Sequence, residues 1–381
     1  MKKLIALTLS ILMILTLGLA SCNTTGQNSD TTAATTDAES TAGTTAATTN
    51  ESVAGTTETQ TEADTTVAET TTAATTGESV EIDGNLSVNV MVLNGTTGFG
   101  MAKLMDNNES GTSLLNYNFT VDGDASNITA ALLNGTADIA ALPTNAAANL
   151  FNKKGSVQML AINTLGVLYL MTGEGVTIES FEDLEGKTVY CPAQNPTFIF
   201  KYLCQENGLV DGENITIDNT YTQPADLRTA LAAGKVDIAV LPEPMVTIAK
   251  SANTDLKVAL DLTAEWDKVA PAGSLAQGCV VVRKEFAEAH PAEVKTFLAE
   301  YEASINYVKA NPTEAGTMIQ THGVFANGAV AGKALPNCNI CFISGADMKP
   351  ILDEFFTILH GVAPASVGNA VPGESFYYVG K

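Results

Sequence analysis

Residues 131–145 read ALLNGTADIAALPTN, and residues 230–244 read ALAAGKVDIAVLPEP. Ala131, Leu132, Gly135, Asp138, Ile139, Ala140, Leu142 and Pro143 recur as Ala230, Leu231, Gly234, Asp237, Ile238, Ala239, Leu241 and Pro242, at a constant offset of 99 residues. The same offset lays VMVLNGTTGFGMAKLMDNN (Val90 to Asn108) over VYCPAQNPTFIFKYLCQEN (Val189 to Asn207) without a gap. Identities are fewer there, but the plan is shared: a short apolar run, a polar corner, then a helical pattern. One register across both segments reads as a duplicated αβ unit. Two copies are too few, and the period too long, for a solenoid.

Outward from these stretches the pattern alternates. Strands are expected at 88–93, 117–121, 137–142 and 157–163, with helices at 98–107, 126–133 and 145–152 between and after them. The second unit repeats the theme, with strands at 188–191, 215–219, 236–241 and 257–262 and helices at 197–207, 224–233 and 243–252. Strands alternating with helices specify parallel βαβ units. Leu165 to Met171 reads as a buried strand between the units, and Gly278 to Arg283 as a second one after them. The rest is helical, and Pro291 and Pro312 sit where helices begin.

The N-terminus carries Lys2 and Lys3, an apolar run from Leu4 to Leu19, then Leu19-Ala20-Ser21-Cys22. A charged start, an apolar core and small residues before a cut describe a secretory signal. The last four residues resemble a bacterial lipobox, in which the Cys is lipidated. From Asn23 to about Val80 the chain is mostly Thr, Ala, Ser, Gly and Glu, without Lys, Arg or an aromatic residue. Such a segment buries too little apolar surface to offset its ordering entropy. It reads as a tether spanning roughly 40 Å root-mean-square. The expected organisation is therefore a signal at 1–22, a linker at 23–84, the first part of lobe one at 85–172, lobe two at 173–275, and a return to lobe one with C-terminal helices at 276–381.

The formal net charge of −23 argues against nucleic acid as a partner. With Cys22 assigned to lipid, Cys191, Cys204, Cys279, Cys338 and Cys341 remain. Cys338 and Cys341 have metal-ligand spacing but no second pair, and His290, His322 and His360 are scattered. A zinc site needs matched ligands, so no metal and no cofactor is expected. Buried thiols or one local disulfide account for these residues instead.

The order of αβ unit, buried strand, αβ unit, buried strand and helical tail resembles the periplasmic-type solute-binding proteins of ABC importers. The nearest subgroup is the nitrate/sulfonate/taurine-type family, with its relatives that bind the pyrimidine precursor of thiamine. The resemblance is carried by DIAALPTNAA (138–147), FEDLEGKTVYCPAQ (181–194), DIAVLPEP (237–244) and VVVRKEFAEAHPAEVKTFLAEYEASINYVKANP (280–312), and it spans nearly all of Ser87 to Lys381. It implies a type II two-lobed α/β fold: two three-layer αβα lobes, joined by two crossing strands that act as a hinge. It also implies a monomeric, extracytoplasmic subunit, lipid-anchored to the membrane, that hands a small molecule to a permease and its ATPase.

In open parallel sheets ligands lie beyond the carboxyl ends of the strands, where helix N-termini offer free N–H groups. Four such corners are legible: Asn94 to Gly100, with Thr96, Thr97 and Phe99; Pro143-Thr144-Asn145; Gln194-Asn195-Pro196-Thr197; and Pro242-Glu243-Pro244-Met245. Each alone is common turn chemistry, but together they stand at matching ends of duplicated units. None contains Lys or Arg. Glu243 would repel an anion and favours a ligand with N–H groups or positive charge. Phe99, Phe198 and Trp266 either stack on a planar ring or belong to the core, and Tyr169 lies in the first crossing strand. A neutral or cationic planar nitrogen-bearing ligand follows. The alternatives are a sulfonate, taurine or nitrate held by backbone amides, or a ligand-sensing surface lipoprotein. No nucleophile–base arrangement is visible, so no enzymatic activity is expected.

Overall fold

The computed structural model describes residues 82–380. Cys22 and most of the linker therefore lie outside the described residues. The first sheet contains β1 (Ser87–Leu93), β2 (Asn116–Asp122), β3 (Ile139–Pro143) and β4 (Val157–Thr164). The second contains β5 (Leu168–Thr172), β6 (Thr188–Tyr190), β7 (Thr216–Asp218), β8 (Ile238–Pro242) and β9 (Lys257–Asp261). β10 (Gly278–Arg283) and β11 (Ile340–Ser344) return to the first sheet. The strand orders are β11-β4-β10-β3-β1-β2 and β7-β6-β8-β5-β9.

Set side by side, β2-β1-β3-β10-β4 and β7-β6-β8-β5-β9 are the same arrangement. In each, the central strand antiparallel to its neighbours is the one that has just crossed from the other lobe. The duplication read from the sequence is thus a duplicated sheet with exchanged strands. Each copy of the quoted stretch is the end of a helix, a turn and a central strand. Gly135 and Gly234 take φ of 77° and 65°, the left-handed conformation that closes a helix at little cost to glycine. The Asp-Ile-Ala that follows opens β3 and β8. Asp138 clamps the first sheet at that end, accepting hydrogen bonds from Asn89 N (3.0 Å) and pairing with Arg283 Nη2 (2.9 Å).

The strand over 168–172 pairs with β8 and β9, so it belongs to lobe two and not to the lobe-one segment ending at 172. The crossings proper are 165–167 and the stretch before β10. They are tied together: Gln277 N donates to Thr164 O (3.0 Å), and Val167 N donates to Gln277 Oε1 (2.7 Å). The C-terminal tail also departs from a simple return to lobe one. The Met348–Val362 helix buries Phe355 against Trp266, with ring centroids 5.9 Å apart, on lobe two. The segment after it lies on lobe one, where Asn149 and Asn152 of the Thr144–Lys154 helix donate to Ala365 O and Val367 O. Cys191, Cys204, Cys279, Cys338 and Cys341 are free thiols. No described helix is long and apolar enough to cross a membrane.

Candidate functional site

The two lobes face each other with the carboxyl ends of β1, β3 and β8 toward a cleft of about 410 Å³, within the range of small-molecule sites. Lobe one contributes Asn94, Thr96, Thr97, Gly123 and Pro143, and lobe two contributes Asn195, Gln223, Glu243 and Met245. The floor is the crossing itself, with Val167 and Gln277. Among the described residues no Lys or Arg lines it.

The corners are shaped by local chemistry. After β1, Gly95 takes φ 100° and turns the chain into the short Thr96–Phe99 helix. Opposite, the Asn195–Glu206, Pro224–Ala232 and Met245–Ala252 helices begin at the cleft, and none has its first turn capped by the side chain of the residue before it. Pro at the start of the first two fits a first helical turn, whose N–H groups lack helical acceptors. Such N-termini favour acceptor-rich groups.

Glu243 is 3% exposed and lines the cleft wall, but its carboxylate is already engaged. Oε2 accepts from Thr247 N at 3.1 Å and Oε1 from the Thr247 hydroxyl at 3.0 Å. Burial raises its pKa, against the lowering effect of the Thr247 hydrogen bonds, Asn337 and Lys250. It serves as the N-terminal acceptor of its own helix rather than as a free recognition group.

Other expected residues divide by position. Asn94, Thr96, Thr97 and Asn195 line the cleft, and Asn145 and Gln194 line a cavity beside it. Thr197 is 6% exposed and holds its corner together, donating to Pro192 O (2.7 Å) and accepting from Asn219 Nδ2 (2.8 Å). Thr144 is fully buried beneath its corner. Phe99 is core, because its helix turns the ring inward, edge-on to Phe325 at 6.1 Å. Trp266 is not a cleft wall. It is fully buried between Tyr202 and Phe355, with Nε1 donating to Ser274 Oγ at 2.8 Å. Tyr169 lines a separate cavity with Thr247 and Lys250 and donates to Asn337 O (3.0 Å), and burial raises its pKa.

Sequence reasoning missed Gln223, Gln277 and Phe325. Gln223 precedes Pro224 after β7, a fifth strand-to-helix corner that was legible. Phe325 reaches the cleft from the helical tail, which no local pattern reports.

The profile of the NMT1/THI5-like family matches residues 115–315. The chain belongs to the NMT1/THI5-like family. The match takes in lobe one from just before β2, all of lobe two and the return strand, and leaves out β1 and the corner with Asn94, Thr96 and Thr97. No curated protein sequence matches this NMT1/THI5-like chain. Among solved structures, it is similar to an ABC transporter protein from Parabacteroides distasonis, at 24% identity over 77% of this chain and 98% of that one, with a TM-score of 0.66. It is also similar to the periplasmic aliphatic sulphonate-binding protein SsuA from Escherichia coli, at 14% identity over 77% and 92% of the two chains, TM-score 0.62. A third similar structure is the Candida albicans CA3427 gene product, which exhibits the generic periplasmic binding protein fold, at 12% identity over 77% and 97%, TM-score 0.52. The two-lobed fold is therefore that of the periplasmic binding proteins.

Proposed function

We propose that this NMT1/THI5-like protein is the extracytoplasmic solute-binding subunit of an ABC importer, which captures a small molecule between its lobes and delivers it to a membrane permease and ATPase. The observation that carries the proposal is the cleft itself: helix N-termini, amides and hydroxyls from both lobes converge on one cavity across a two-stranded crossing. Capture by lobe closure needs that geometry.

The site alters the reading of the ligand. Glu243 is committed to Thr247, and neither Phe99 nor Trp266 faces the cleft. The reason for a cationic ligand is gone, and of the three aromatic residues only Phe198 lies near the ligand space, beside the cleft. The N-termini of the Asn195–Glu206 and Pro224–Ala232 helices, which no side chain caps, favour a group rich in acceptor oxygens. The absence of Lys and Arg favours one that is neutral or carries a single negative charge. A sulfonate or carboxylate held by amide N–H groups, Thr96, Thr97 and Asn195 meets both conditions. Calorimetric titration with taurine, an alkanesulfonate, nitrate and an aminopyrimidine is the test. Binding of a sulfonate, weakened about tenfold by Thr97→Ala together with Asn195→Ala, is expected. Exclusive binding of the aminopyrimidine refutes this ligand class.

Lipid anchorage through Cys22 is part of the same proposal and is supported by Leu19-Ala20-Ser21-Cys22 ahead of a long polar linker. Cys22→Ala should release the protein into the medium or leave its signal unprocessed. A variant that is processed normally and stays with the membrane shows that another element anchors it.

A further inference from the structure

A cavity of about 540 Å³ adjoins the cleft. Three segments contribute neighbouring residues to both spaces. Gly123 lines the cleft and Asp124 the side cavity; Pro143 lines the cleft and Asn145 the side cavity; Asn195 lines the cleft and Gln194 the side cavity. The side cavity is therefore a lateral continuation of the cleft between the lobes, closed on one side by Ala365 and Ser366 of the C-terminal segment.

Its chemistry differs from that of the cleft. Phe198 and Leu150 supply apolar surface from opposite lobes. Asn145 is 8% exposed, and its Oδ1 meets no donor among the described residues. A buried acceptor left unpaired is costly and calls for a partner. Gln194 at the chamber's edge holds φ 67° and ψ −128°, a conformation that non-glycine residues rarely adopt. Asp124 stands at the chamber's exposed edge, where its Oδ1 accepts from Ser126 N at 2.8 Å to cap its own helix and Oδ2 stays open to solvent.

We infer that the lateral chamber holds the body of a two-part ligand, in which a flat apolar group bearing an N–H or O–H donor packs against Phe198 and donates to Asn145 Oδ1 while the acceptor-rich head occupies the cleft. This rests on the importer reading of the cleft and deepens it: the chamber selects molecules longer than taurine or nitrate. Phe198 and Asn145 become the residues that set specificity, Phe198 for the ring and Asn145 for the donor.

Three probes with the same head separate these contributions: methanesulfonate, benzenesulfonate and 4-aminobenzenesulfonate. Titrated calorimetrically into the full chain, affinity should rise in that order, by about tenfold for the ring and several-fold more for the amine. Phe198→Ala should erase the gain from the ring, and Asn145→Ala the gain from the amine. Both variants should change methanesulfonate binding far less than binding of the longer probes. Phe198→Leu, which keeps apolar volume, should retain part of the ring's gain and guards against a folding defect in the alanine variant, and thermal unfolding of each variant confirms the fold. Equal affinity for the three probes, or a rise that survives both alanine variants, overturns the chamber and leaves the importer reading standing. Failure of all three to bind the wild type removes the sulfonate head and, with it, the two-part ligand.

Discussion

Glu243 sits in the cleft wall with both carboxylate oxygens turned to Thr247. Its burial has a consequence for stability. Because the folded pKa is raised above the ordinary 4.5, the folded protein holds this proton more tightly than the unfolded chain does. The stability from this group is fully present below 4.5 and is lost as pH rises through the folded value. Glu243→Gln keeps an oxygen acceptor for Thr247 and removes the titration. Between pH 4.5 and neutrality, the Tm of the variant should therefore gain on that of the wild type. Thermal unfolding across that range is the measurement, and parallel pH profiles would contradict it. At this scale the sequence was legible for position more than for orientation. It placed Asn94, Thr96, Thr97, Asn195 and Glu243 at the cleft corners, where the structure has them. It could not distinguish a corner hydroxyl that faces the cleft, as Thr97 does, from one that ties the corner together, as Thr197 does. The difference lies partly in Asn219, which comes close only when β7 has paired with β6.

The corner after β1 shows how tightly an element is fitted to its place. A Cβ on Gly98 would lie 2.2 Å from Leu93 O and 2.7 Å from Val92 Cγ1, so the Thr96–Phe99 helix approaches its own strand as only glycine permits. Gly98→Ala should cost about 1–3 kcal/mol and push Thr96 and Thr97 out of register with the cleft. Chemical denaturation should show the loss of stability, and sulfonate titration a weaker site; wild-type behaviour in both would mean that the corner relaxes without cost. Element types were readable here and elsewhere. The Pro291–Ala310 and Pro312–Thr321 helices match their reading, because proline marks the start of each and apolar spacing runs through both. The return of β10 to the first sheet was expected and is found, but the crossing of β5 into the second sheet was not readable. A continuous apolar run reports burial on both faces, but not which sheet does the burying. The Leu262–Val269 helix was missed although Asp261 caps it, accepting from Thr263 N at 2.9 Å, because it follows β9 with no intervening turn.

The lobes are joined by more than a two-strand hinge. Two crossings, tied through Gln277, run beneath the cleft, and the C-terminal tail makes a further connection from outside. Its helix is fixed to lobe two through Phe355 and Trp266, and the segment beyond Ala363 is fixed to lobe one. A hinge of two short strands bends easily, since few backbone dihedrals must change. The tail adds an elastic limit, because opening the lobes must strain the contacts of one of its ends. Beyond Gly373 its lobe-one end is anchored by Tyr378 N donating to Met159 O (2.9 Å) and by Phe376 packed on Phe151. The stretch before that is held by three side-chain hydrogen bonds, from Asn149 Nδ2 to Ala365 O (2.7 Å) and from Asn152 Nδ2 to Val367 O (2.6 Å) and Ala370 O (2.7 Å). At about 1 kcal/mol each, their loss is small against the stability of the fold and large against the few kcal/mol that separate open from closed states. Asn149→Ala combined with Asn152→Ala should therefore leave the protein folded and let the unliganded form open further. Small-angle scattering would register a larger radius of gyration for the unliganded variant than for the unliganded wild type. The sulfonate-saturated radii should coincide, because the closed state is set by the cleft. An unliganded radius equal to the wild type's would show that the two crossings alone govern the opening.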